Sequence, residues 1–325
     1  HRRENARHAA NAYEAILAVR TREAIPVPWA RTMHNLALAY SALDLAGEPE
    51  AFARAVDAFG QALEIRTLDV MPADNLNTQQ KLGDLYFGAE QWPEALAAYR
   101  SALAAAQQLY QASATPASRR AELGERGHLL ARTVYCLAKL ERYAKAVETL
   151  ERYRTQALAE ALDRDRAQLE LAPPAERDAF LAAAERIAAL EAEARAAGSA
   201  GGRDFVAVSA DLRQARDELE ATVARIQVHV PDFLPGGLAL ADVAAVAGQA
   251  GQPLVCLLTT SQGGLALIVR PGMGELAADQ VLWLPDFRTA DLVDLLSDRD
   301  DEWRYLHGTA GADAETLERV LDEAW

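Results

Sequence analysis

Residues 12–40, AYEAILAVRTREAIPVPWARTMHNLALAY, lie without a gap on residues 58–86, AFGQALEIRTLDVMPADNLNTQQKLGDLY, at an offset of 46. Val19-Arg20-Thr21 falls on Ile65-Arg66-Thr67, Pro26 on Pro72, Thr32 on Thr78, Leu36 on Leu82 and Tyr40 on Tyr86. A proline inside a helix removes a backbone hydrogen bond, so each copy reads as helix, proline-bearing turn, helix. A period of this size marks a repeat architecture, in which each unit buries its apolar face only against its neighbours.

Working outward, the second copy runs on into Leu82-Gly83-x-x-Tyr86, Ala95, Tyr99 and Ala102. The first copy gives Leu36-Ala37-x-x-Tyr40, Ala55, Phe59 and Ala62, with six more residues between its helices. A looser third unit runs through Leu130, Val134, Leu137, Ala146, Leu150 and Tyr153. Small residues at these places let two helices approach, and large ones fill the space beside them. The spacing resembles that of tetratricopeptide (TPR) repeats, although the period of 46 exceeds the usual one of about 34. The resemblance implies a curved stack whose first helices line a concave face. Arg31, His34, Asn77, Gln80, Asp84, His128 and Tyr135 would then line a groove for a peptide or partner protein. The alternative is a plainly solvated helix face. These residues do not reproduce the lysine–asparagine clamp with which some TPR proteins hold a terminal carboxylate, so that ligand is not expected.

Residues 157–198 read as two helices around a Pro173-Pro174 break, and Phe180, Ile187 and Leu190 give the second an apolar stripe. The Gly/Ser/Ala stretch 197–202 follows. Leu212, Leu219, Val223 and Ile226 stripe another helix before Pro231 and Pro235-Gly236-Gly237 end the helical region. From Pro253 the period changes. Residues 254–259 and 265–269 read as a β-hairpin around Ser261-Gln262-Gly263-Gly264, 281–284 as a third strand, and 289–297 and 313–325 as helices. Gly272-x-Gly274 reads as a turn, like Gly263-Gly264. The expected fold is mainly α: a TPR-like α-solenoid over 1–162, a helical linker pair over 163–230, and a small, incomplete α/β part over 231–325.

Residues 148–162 (ETLERYRTQALAEAL), the helical pair, 253–269 (PLVCLLTTSQGGLALIV) and 317–325 (LERVLDEAW) resemble, in this order, bacterial TPR–CHAT proteins. Their CHAT domain is caspase-like and related to separase. The resemblance implies cysteine proteolysis by a His–Cys dyad on later strands, with this chain stopping in the helix that precedes them. On that reading the chain is a protein-interaction and regulatory module without a catalytic residue of its own, and partner binding gates the protease of an intact parent. Cys256 lies mid-strand in an apolar run and Cys136 inside a repeat helix, so both read as core residues. His307-Gly308 resembles the family's His-Gly step, but Trp303-Arg304-Tyr305-Leu306 makes a poor buried strand and no cysteine follows. His229 stands before the Pro231 break with no visible partner. Two alternatives stay open: a cysteine peptidase pairing His307 with Cys256, and a pure scaffold whose α/β part caps the solenoid.

Two distant cysteines give neither a disulfide framework nor metal spacing, and point to a reducing cytoplasm. Asp291, Asp294, Asp298, Asp300, Asp301 and Glu302 crowd together without the Asp-x-Asp-x-Asp-Gly pattern of a calcium loop, and read as a solvated acidic stretch. No cofactor or metal is expected. The net charge is −15, and the whole excess lies in residues 161–325, with 29 acidic and 14 basic side chains. So acidic a chain repels phosphate backbones, which argues against nucleic acid. No apolar run reaches the roughly 18 residues that cross a bilayer, and no membrane partner is expected. The polar start His1-Arg-Arg-Glu-Asn is unlike a signal peptide, and the missing initiator Met points to a piece of a longer chain. An incomplete sheet leaves an open edge, a route to a homodimer.

Overall fold

The computed structural model describes residues 1–112, 127–161, 164–196, 204–231, 233–234 and 237–296. The chain is mainly helical, with a small three-stranded antiparallel sheet in its C-terminal part. It divides into two compact units, His1–Leu140 with Thr149–Gly237, and Glu141–Glu148 with the chain from Leu238.

In the first unit the sequence repeat is a backbone repeat. Helices α1 (Arg2–Leu17) and α3 (Ala51–Leu63) end 46 residues apart, and α2 (Pro26–Asp44) and α4 (Pro72–Gly88) begin 46 residues apart. The turns share their hydrogen bonds. Arg20 N donates to Ile16 O at 2.9 Å and Arg66 N to Ala62 O at 3.0 Å; Ile25 N donates to Thr21 O at 3.2 Å and Met71 N to Thr67 O at 3.0 Å. Pro26 and Pro72 each open a helix, where the missing N–H has no intrahelical partner to lose.

Helix α2 packs along α3, and α4 along α5 (Trp92–Ala112). A third helix–turn–helix follows as α6 (Gly127–Lys139) and α7 (Tyr143–Ala161). The turn inside each of the three holds a glutamate in the left-handed region: Glu50 at φ 64°, Glu90 at φ 56° and Glu141 at φ 57°. Each stands five residues before a buried alanine (Ala55, Ala95, Ala146) and two before an aromatic ring (Phe52, Trp92, Tyr143). This shared turn ties the looser third unit to the first two. The loop holding Pro116 lies outside the described residues.

The tightest joint is between α4 and α5. A β-carbon on Gly83 would stand 2.5 Å from Cε1 of Tyr99, so only glycine lets the ring lie flat on α4. Tyr99 is fully buried and its hydroxyl donates to Asp84 Oδ1 at 3.0 Å, which holds the ring from both ends.

The chain then forms α8 (Arg164–Leu171), broken by Pro173-Pro174, followed by α9 (Pro174–Ala196) and α10 (Phe205–His229). The stretch expected as a linker pair is packed into the first unit. Phe180, Ile187, Leu212, Leu219 and Ile226 share one core with Val70 and Met71 from the second repeat's turn and with Tyr110 of α5. Arg216 fastens the joint, donating to Leu68 O at 3.2 Å and to Asp69 O, and pairing with Glu191 at 2.5 Å. A stripe this apolar has to be covered, and the repeat's turn covers it.

The second unit adds α11 (Leu240–Ala250), a helix the sequence reading did not foresee. Its many alanines mask the stripe Leu240, Val243, Ala244 and Ala247, all buried, and Gly251 at φ 66° ends it. Strands β1 (Leu254–Thr260), β2 (Gly263–Val269) and β3 (Val281–Leu284) form an antiparallel meander in the order β1-β2-β3. The turn is shorter than expected: Ser261 and Gln262 alone make it, and Gly263-Gly264 belong to β2. A β-carbon on Gly264 would stand 2.9 Å from Phe287 O and 3.1 Å from Leu258 O, so the strand needs glycine there for close backbone approach. Helix α12 (Thr289–Leu296) lies against β1.

Two glycine replacements should move stability in opposite directions. Gly83→Val should cost about 1–3 kcal/mol by overpacking Tyr99. Gly60→Ala, in α3 with open space at its β-carbon, should gain about 0.5–1 kcal/mol. Urea unfolding of the two variants against the parent chain reads both.

Candidate interaction face

The seven residues expected on a groove divide by burial. Arg31 on α2, Asn77 on α4 and His128 on α6 are exposed, and Gln80 and Asp84 on α4 are half-buried. His34 and Tyr135 are buried. Helical spacing put them on the same face as their exposed neighbours. Rings that large at a helix–helix seam are drawn instead into the apolar space between helices.

Tyr135 belongs to an aromatic group with Phe87 at 5.6 Å and Trp92 at 5.9 Å between ring centroids, and Phe87 and Trp92 meet edge-on at 5.3 Å. The Lys139 ammonium stands over both Trp92 and Tyr135, at 5.6 and 5.4 Å. Burial, then Glu90, raises the Tyr135 phenol above its ordinary pKa.

Asp84 is the hub of a second group. It accepts from Tyr99 at 3.0 Å, pairs with Arg132 of α6, and has Lys81 at 3.7 Å. The Arg132 guanidinium also lies over Phe87 at 5.9 Å. Burial works against the charge on Arg132, but Asp84 and Tyr99 together outweigh it, so its pKa rises. Asp84 thus joins α4, α5 and α6. Arg132, which sequence spacing alone did not single out, is the other half of this joint.

His34 sits in a third polar group where α2 meets α4. Thr78 Oγ1 stands 2.8 Å from Asp74 O and 3.1 Å from both Arg66 Nη1 and His34 Nδ1. Arg66 donates to Thr78 Oγ1, and the one Thr78 proton serves Asp74 O or His34 Nδ1 according to the His34 tautomer. Burial, followed by Arg66 and Lys81, lowers the His34 pKa from 6.5 to about 4. Arg66 is 5 % exposed, with Asp74 at 3.4 Å. Its pKa is lowered by burial, with Asp74 opposing and Arg31 adding to the effect. Asn75 donates to Arg66 O at 2.6 Å, while Arg66 Nε and Asn75 Oδ1 are buried without a hydrogen bond. Arg20, the counterpart of Arg66 in the first copy, is exposed. The same sequence position therefore serves opposite ends, because only the second copy has α2 and α4 closing over it.

Both cysteines are buried and neither is in a disulfide. Cys256 is 2 % exposed and lies opposite Leu267 in the sheet. Burial pushes the Cys136 thiol up to about 12, the reverse of what a nucleophile needs. His229 ends α10 and is exposed. His307, Asp298, Asp300, Asp301 and Glu302 lie outside the described residues, as does any side-chain placement for Asp294. Among the described residues no group of three or more His, Cys, Asp or Glu side chains is placed to hold a metal ion, and no helix is long and apolar enough to cross a membrane.

Comparison with profiles of known protein families, with curated proteins and with solved structures gives no match.

The His34 shift carries a sign. Its pKa is lower in the folded chain than the ordinary 6.5, so between about 4 and 6.5 the unfolded chain binds the extra proton. Its contribution is whole above that window and falls away as the pH drops through it. Unfolding by urea at about pH 7 and about pH 5 should show a loss of stability that is smaller in His34→Gln, which has no proton to take up.

Proposed function

We propose that the chain is a protein-recognition and regulatory module, in which the first helices of the stacked pairs present a face for a peptide or partner domain. The observation that carries this reading is the threefold helix–turn–helix, with its shared left-handed glutamate and its Gly83–Tyr99 joint. Such a stack buries its apolar residues between units and leaves polar ones on an extended face, and recognition is what an extended face supports. Arg31, Asn77, Gln80 and His128 supply that face, while Asp84, His34 and Tyr135 hold it rigid.

The TPR-like spacing and the order of segments support a place in a caspase-like TPR–CHAT protease, with this chain regulating a His–Cys dyad carried elsewhere in the parent. The burial of Cys256 and Cys136 favours a packing role for both thiols and suits a cytoplasmic protein.

Two measurements test the reading. A partner held by the parent chain should be lost at least tenfold by a chain carrying Arg31→Ala, Asn77→Ala and Gln80→Ala, at an unchanged melting temperature. Equal retention by both removes the proposed face. A thiol reagent should label Cys256 and Cys136 of the folded chain no faster than the chain unfolds. Rapid labelling of Cys256 in the native state would return it to the list of candidate nucleophiles.

A further inference from the structure

Helices α5, α9 and α10 and the turn of the second repeat leave a cavity of about 450 Å³ between them. That volume falls within the roughly 300–1,000 Å³ of small-molecule sites. The buried side chains of Ile187, Leu219 and Val223 give it an apolar floor. Asp69, Arg213, Asp217 and Glu220, all exposed, stand at its rim. Arg216 also borders the space, but its guanidinium is taken by Glu191 and by the carbonyls of Leu68 and Asp69. Three rim carboxylates against the one remaining guanidinium, that of Arg213, leave the mouth negative.

A second observation comes from α5. Gln108 lines the same cavity, and its Oε1 is buried without a hydrogen bond. An amide oxygen only accepts, so one stripped of water is stabilised by whatever brings it an N–H or O–H. The floor thus suits an alkyl body, the orphaned oxygen a donor, and the rim a positive charge. An alkyl carboxylate or phosphate would instead bring more acceptors to Gln108 and more negative charge to a negative mouth.

We propose that the cavity binds a small organic cation of the alkylammonium or alkylguanidinium class, its alkyl body on Ile187, Leu219 and Val223 and its charge toward Asp217 and Glu220. Such a head group carries N–H donors and no acceptor, so it answers Gln108 and the rim without an unmade bond of its own. Its stem buries carbon while the head stays among carboxylates and water. None of these residues belongs to the proposed recognition face of the helix pairs, so the inference stands apart from that reading.

The test uses the whole chain and three probes with one alkyl body: hexylammonium, hexanol and hexanoate. The methyl resonances of Ile187, Leu219 and Val223 report occupancy of the floor. Hexylammonium should shift them saturably, with a Kd on the order of millimolar for so small a ligand, and should bind about tenfold more tightly than hexanol or hexanoate. Asp217→Asn with Glu220→Gln, both exposed, should erase most of that preference and leave hexanol unchanged. Ala104→Trp places an indole from the exposed side of α5 into the same space. It should abolish the response to hexylammonium at an unchanged melting temperature. No saturable shift up to about 50 mM hexylammonium overturns the site. Equal affinity for hexylammonium and hexanol, or a preference that survives neutralising the rim, overturns the choice of a cation.

Discussion

The contact of Tyr99 with Gly83 is the joint on which the repeat stack depends. Helix α4 carries no side chain at that point, and the Tyr99 ring of α5 fills the space a β-carbon would take. The hydroxyl at the far end of the same ring donates to Asp84, and Asp84 in turn holds Arg132. One aromatic residue therefore sets both the distance between two helices and the position of a third. Burial and the Asp84 carboxylate raise the phenol's pKa, so it remains a donor at any ordinary pH.

Much of this was legible in the sequence, because the features that show in sequence are those that constrain backbone. Pro26, Pro72 and Pro174 open helices, and the glycine before Tyr99 reads as a close approach. The change of period at Pro253 marks the sheet, whose strands begin within two residues of where alternation and turn chemistry put them. Burial at helix seams was less legible. His34 and Tyr135 share a helical face with exposed residues, and only the neighbouring helices decide that one ring joins Thr78 and Arg66 and the other Phe87 and Trp92. Helix α11 escaped because alanine gives little contrast between faces. The Glu–x–aromatic turn at Glu50, Glu90 and Glu141 was present in the sequence throughout. Glutamate is an unusual residue for a left-handed position, so composition gave no hint of it.

The polar groups divide the labour. On the outer side Arg31 and Asn77 are exposed and Gln80 is half-buried. Those with buried members are committed to structure, and the neutral His34 shows how strictly: placing a proton there sets a cation beside Arg66 and Lys81. A surface built this way keeps its shape while its outer residues vary.

Arg216 draws a line back to Leu68 across 148 residues, whereas the helix pairs close over a few dozen. At translation rates of roughly 5–20 residues per second, the second repeat's turn waits on the order of 7–30 s for the helix that will cover it. During that interval Val70 and Met71 lie bare on a repeat that is otherwise complete. The newborn chain's exposure to chaperones and to aggregation is thus set by the distance along the gene between a turn and its lid, more than by the stability of any one pair.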